Sequence, residues 1–132
     1  MPVKYVKFIS RQMVRDNPEA RFVFGDNTMR VGMGGQAGAM RGEPNAIGVA
    51  TKRFPGNGPG DFFSDTKLAD RHVIANDISR VEQALSEGRD VYVPLDGLGT
   101  GLSELPTRAP LLHSYIIERF AEMDGEPCPW RP

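Results

Sequence analysis

Asp26, Asn27 and Arg30 are followed closely by Gly34, Gly35 and Gln36, in a run from Phe22 to Arg41 that reads as strand, turn and helix start. A second set, Asp96, Gly97, Gly99, Thr100 and Gly101, follows the apolar stretch Val91 to Leu95. Glycines in such junctions let backbone N–H groups approach an anion without side chains in the way. In this reading Gly34, Gly35 and Gln36 and the segment from Gly97 to Gly101 hold phosphates, with the Thr100 hydroxyl assisting. Asp26 accepts hydrogen bonds from an amino group of a base or from ribose hydroxyls, and Asn27 both donates and accepts. Arg30 supplies positive charge, and Asp96 is a ribose ligand or a general base, with Glu104 the other carboxylate near that loop.

Each of these residues also has a plainer use. Asp and Asn close turns on their own backbone, and glycines allow backbone to pack closely on a sheet. Arg41 reads as a solvated charge or as a weak partner of Glu43. The first glycine run is not a GxGxxG fingerprint, and no GxxxxGK[ST] phosphate loop or GxSxG elbow occurs. His72 and His113 stand alone on expected helices, so no metal site is expected. Cys128 has no base partner, so no nucleophile–base set is evident.

The elements that position these residues alternate. Tyr5 to Ile9 is a first strand, Arg11 to Arg21 a polar turn region, and Phe22 to Phe24 the next strand. A short helix runs from near Gly35 to near Gly42, and Ala46 to Thr51 is a third strand, apolar on both faces if Gly48 is discounted. Arg53 to Gly60 reads as a mobile loop, and Arg53 to Asp65 as a lid in which Phe62-Phe63 either stack on a base or anchor the loop. Asp65 or Thr66 caps a helix with Ile74, Ile78, Val81 and Leu85 on its inner face and Gly88 as its stop. After the strand Val91 to Leu95, Thr107 caps a last helix lined by Leu112, Ile116, Phe120 and Met123. The tail from Gly125 to Pro132 is expected to lie extended on the surface or on a neighbouring subunit, with Trp130 exposed. This order predicts an α/β fold, a mainly parallel or mixed sheet flanked by helices, with ligands at the carboxyl ends of the strands.

The chain has 132 residues and a net charge of −1, which suits one domain, residues 1–132, and gives no global attraction to nucleic acid or to a membrane. A single cysteine excludes an internal disulfide. The start of the chain lacks the apolar stretch of a signal peptide, so a cytoplasmic location is expected.

The segments Val23-Phe-Gly-Asp-Asn27, Gly34-Gly-Gln-Ala37, Arg41-Gly-Glu-Pro-Asn-Ala46 and Pro94-Leu-Asp-Gly-Leu-Gly-Thr-Gly-Leu102 resemble a family of small uncharacterised proteins of bacteriophages and bacteria. More distantly, Asn27 with Gly34-Gly35-Gln36-Ala37, and then Gly97 to Gly101 after a late strand, are similar to the two ligand loops of macro domains, which bind ADP-ribose and related nucleotides. That resemblance implies a macro-domain-like fold and an ADP-ribose-like or other nucleotide-derived ligand, with no cofactor. The phage-like character implies a sponge for a host nucleotide immune signal. The rivals are a hydrolase of an ADP-ribosyl or cyclic-nucleotide substrate, using Asp96 or Glu104, and a structural protein that forms a homo-oligomer through its tail.

Overall fold

The computed structural model describes residues 3–131. Four strands, β1 (Val3–Val6), β2 (Arg21–Asn27), β3 (Ala46–Lys52) and β4 (Val91–Pro94), form one wholly parallel sheet in the order β1-β4-β2-β3. The chain is therefore an α/β protein. Parallel strands are covered on both faces, so they read as near-continuous apolar runs. Phe22 and Phe24 of β2 pack with Val14, Ala20, Ala37 and Met40 under helices α1 (Arg11–Asp16) and α2 (Ala37–Met40). Val23 faces the opposite layer with Val49, Ile74, Ile78, Val81, Ile116 and Phe120, beneath α3 (Leu68–Ser86) and α5 (Pro110–Asp124). A single turn of helix, α4 (Leu105–Arg108), leads into α5.

Several local expectations change. The first strand is Val3–Val6, displaced toward the amino end from Tyr5 to Ile9. The polar stretch after it contains α1, capped by the Ser10 hydroxyl, which accepts from the Met13 N–H at 3.1 Å. This helix buries Val14 alone, so it carries no apolar stripe to read. Asp65 does not cap α3. Its two carboxylate oxygens accept from the N–H groups of Leu111 and Leu112, at 3.0 and 2.9 Å, and so cap α5 from a distant segment. Thr107 lies inside α4 and caps nothing. Trp130 is buried, not exposed on the surface or on a neighbour. Its Nε1 donates to the Pro94 carbonyl at 2.9 Å, and its ring meets Tyr5 edge-on and tilts against Phe120.

The proline- and glycine-rich stretch after β3 is tied down. Arg53 and Phe54 donate their N–H groups to the Asp61 carbonyl, the Arg53 guanidinium pairs with Asp70, and Pro59–Asp61 forms a 3-10 turn. Phe62 and Phe63 are both buried, as loop anchors are. Among the described residues no helix is long and apolar enough to cross a membrane.

His113, in the first turns of α5, is only 1% exposed, and neither ring nitrogen has a hydrogen-bond partner among the described residues. Burial pushes its pKa below the ordinary 6.5. The folded ring thus stays neutral at pH values where the unfolded chain takes up a proton. Stability is complete above the unfolded pKa and is lost as pH falls toward the folded one. Urea midpoints are expected to drop between about pH 7.5 and about pH 5.5, and His113→Leu should flatten that drop. An equal drop in the variant would assign it to other groups.

Candidate functional site

The sheet opens at its carboxyl end. β2 and β4 pair only at Arg21↔Val91 and Phe22↔Tyr92, whereas β2 and β3 stay paired to Asn27↔Lys52. After Asn27 the chain leaving β2 leads to α2 on one face, and after Pro94 the chain leaving β4 leads through α4 to α5 on the other. Diverging connections of this kind create the crevice in which open α/β sheets take ligands. Gln36 stands in it. Its Oε1 accepts from the Gly25 N–H at 2.8 Å, and its Nε2 donates to the Gly97 carbonyl at 2.9 Å. One side-chain amide thus joins the two glycine-rich loops and replaces the strand–strand bonds that the divergence removes.

A charged network surrounds the ends of β2 and β3. The Asp26 carboxylate is buried, and it accepts from Arg41, from Arg30 at 3.4 Å and from the Asn27 N–H at 2.8 Å. It sits against the backbone of β3 at Gly48, where any Cβ would collide with it. The missing side chain of Gly48 is therefore the space that Asp26 occupies. Arg30 reaches round β3, an edge strand, to hold Asp77 of α3 with two bonds of 2.8 and 2.9 Å. Asp77 also accepts from the Ala50 N–H at 2.8 Å, and Arg80 donates to the Gly48 carbonyl at 2.8 Å. These two side chains of α3 cover the open hydrogen-bonding edge of β3.

This geometry places the residues picked from the sequence in different surroundings. Asn27 closes a local turn, its Oδ1 accepting from the Met29 N–H and its Nδ2 donating to the Val31 carbonyl. Arg30 is an ion-pair bridge with a left-handed backbone, φ 56°. Arg41 pairs with Asp26, not Glu43. Arg15 and Arg11 hold Glu43 instead and keep its carboxyl below the usual range. Helix α2 is a single turn, and the N–H groups of Gly38 and Ala39 donate to the Gly35 and Gln36 carbonyls. In the second loop the Thr100 hydroxyl donates to the Asp96 carbonyl at 3.0 Å. A Cβ at Gly99 would meet Thr51 and Leu105 at 2.9 Å, so this glycine, with φ 78°, serves close packing. Asp96 and Glu104 are solvent-facing and pair with Lys7 and Arg108.

A cleft of about 150 Å³ remains at the ends of β2 and β3, lined by Asp26, Asn27, Gly34, Arg41, Lys52 and Ser103 among others. Lys52 is only 4% exposed. Its ammonium lies 3.5 Å from the Leu102 carbonyl and 4.7 Å from the centre of the Phe62 ring. The Arg108 guanidinium covers the same ring at 3.9 Å. Among the described residues Lys52 has no carboxylate partner. Its sequence signal is its place as the last residue of a strand that is otherwise apolar from Ala46 to Ala50. Arg30, Gly97, Gly99, Thr100, Gly101 and Glu104 do not line this cleft. Gly35, Gln36 and Asp96 line a neighbouring one. No group of three His, Cys, Asp or Glu among the described residues is placed to hold a metal ion.

No curated protein and no solved structure matches the chain. Residues 4–119 match a family of unknown function, DUF7831. The match spans both glycine-rich loops, the Asp26–Arg30–Asp77 network and Lys52, and the chain accordingly belongs to the DUF7831 family.

Proposed function

We propose that this protein binds an anionic, nucleotide-derived ligand and releases it unchanged, with Lys52 and Arg41 facing its phosphate. The observation that carries this reading is Lys52 itself. A buried cation without a counter-ion is costly, and an anion in the adjoining cleft would relieve that cost. Glycine backbone at Gly25, Gly32 and Gly34 leaves room beside it. Val31 and Leu102, which line the same cleft, are 49% and 67% exposed and offer apolar contact to a sugar or base. The cleft is smaller than the roughly 300–1,000 Å³ of pockets that enclose whole ligands. It therefore takes the phosphate end, and the rest of the ligand lies outside it.

The two glycine-rich loops leave adjacent parallel strands at one end of the sheet, which supports an ADP-ribose-like ligand of the macro-domain kind. Binding is favoured over hydrolysis because Asp96 and Glu104 stand outside the cleft and face cations in solvent. Binding without turnover is what a sponge for a nucleotide signal requires.

A thermal-shift screen with ADP-ribose, NAD and cyclic dinucleotides, followed by chromatography of the mixtures, tests this reading. A ligand at about 100 times its Kd adds about 2.7 kcal/mol and raises the Tm by several degrees. The expected result is such a shift with the ligand recovered intact. A shift with altered ligand would make the protein a hydrolase, and no shift with any of them would overturn nucleotide binding.

A further inference from the structure

We infer that the site continues past Gln36 into a second subsite that takes the base of the ligand, with Phe8 as its stacking platform. This rests on the reading of Lys52 as the phosphate contact. A cavity of about 320 Å³ lies at the carboxyl ends of β1 and β4, lined by Phe8, Ile9, Gly35, Gln36, Met40 and Asp96 among others. Gln36 connects it to the Lys52 cleft, because it lines this cavity while its Oε1 accepts from the N–H of Gly25, which lines the other.

The cavity combines the contacts that a nucleoside needs. Ile9, Met40 and Pro94 give it apolar lining beside the polar Lys7, Gln36 and Asp96. Phe8 is 86% exposed, more than any other large apolar side chain among the described residues. An aromatic ring left in water beside an apolar cavity presents a face on which a base can stack. Among the described residues the Asp96 carboxylate at the same cavity is bound by Lys7 alone, at 3.2 Å, in a pair exposed on both sides, so it is free to exchange that contact for ribose hydroxyls or an exocyclic amine. Asp96 thereby enters the site as a nucleoside ligand, not as a base for hydrolysis.

The sheet order sets the length of the ligand. β1 and β3 are separated by β4 and β2, so they lie about 14 Å apart across the sheet at the usual strand spacing, and β3 runs past the level of Val6 before it reaches Lys52. A ligand with its base on Phe8 and a phosphate at Lys52 must bridge that span across Gln36. The reach of the Phe8 and Lys52 side chains shortens that span, and a nucleotide with a diphosphate covers more of it than a nucleoside monophosphate does.

The test compares ribose 5-phosphate with ADP-ribose by calorimetric titration of the full chain, its Phe8→Ala variant and its Lys52→Met variant. Phe8 is exposed, so its truncation leaves the fold intact, which a thermal melt checks. Phe8→Ala should weaken ADP-ribose by about tenfold or more and leave ribose 5-phosphate unchanged. Lys52→Met should weaken both. ADP-ribose binding that is normal in Phe8→Ala but lost in Lys52→Met would overturn the second subsite and leave the phosphate site standing. Equal losses of both probes in Phe8→Ala would also overturn it. Absence of binding to the wild-type chain would overturn both readings.

Discussion

Gly48→Ala is expected to destabilise the protein by about 3 kcal/mol, although it adds one methyl group to the middle of a strand. Elsewhere, exchange of glycine for alanine in a strand is mildly favourable. Here the new Cβ would occupy the position of the Asp26 carboxylate. Asp26 must then leave Arg41 and Arg30, or β3 must move and lose its bonds to Asp77 and Arg80. The first route breaks a buried ion pair and the second strips β3 of hydrogen bonds to charged side chains, and the partial exposure of Arg30 sets the figure at the lower end for such losses. Denaturant unfolding should show it directly, with a Tm about 10 °C lower. The double variant Asp26→Ala with Gly48→Ala should cost less than the two single changes together, by about 1 kcal/mol or more. Wild-type stability in Gly48→Ala, or strict additivity, would show that the two side chains do not share that space.

Lys52→Met should separate binding from stability. Methionine keeps most of the aliphatic stem and its contact with Phe62, and it removes the ammonium. Affinity for a phosphate-bearing ligand should fall by about ten- to a hundredfold, the usual value of a hydrogen bond to a charged group. Stability without ligand should stay level or rise, because an uncompensated buried charge is gone. A residue whose role is structural would show the reverse, with loss of stability and unchanged affinity. Thermal melts with and without ADP-ribose read both quantities at once.

The alternation of apolar strands and helices was enough to read an α/β protein with its loops at one end of the sheet. Ile74, Ile78 and Val81, and Leu112, Ile116 and Phe120, form the inner faces of α3 and α5 as their spacing implies. What escaped a linear reading depends on contacts between distant segments. Asp65 looks like a local cap, yet it serves α5, because its loop is carried past that helix. Trp130 sits in a proline-rich tail whose composition suggests exposure, and only its fit against Tyr5 and Phe120 buries it.

The same limit applies at the site. Arg30 and Arg41 flank the same short helix, and their neighbours do not reveal that both converge on Asp26. Gly48 interrupts an apolar strand for a reason found on the next strand. Gln36 was legible as a polar residue in a glycine run. Its task, joining two loops across the crevice, appears only once β2 and β4 are seen to diverge. Lys52 carries the least conspicuous signal and the strongest argument for an anion.

The most direct test of that argument is a calorimetric titration of ADP-ribose into the wild-type protein and into Lys52→Met, at low salt so that screening does not mask the contact. Saturable binding by the wild type, at least about tenfold weaker binding by the variant and recovery of the ligand unchanged are the expected results. Equal affinities, or no heat with the wild-type protein, would contradict it.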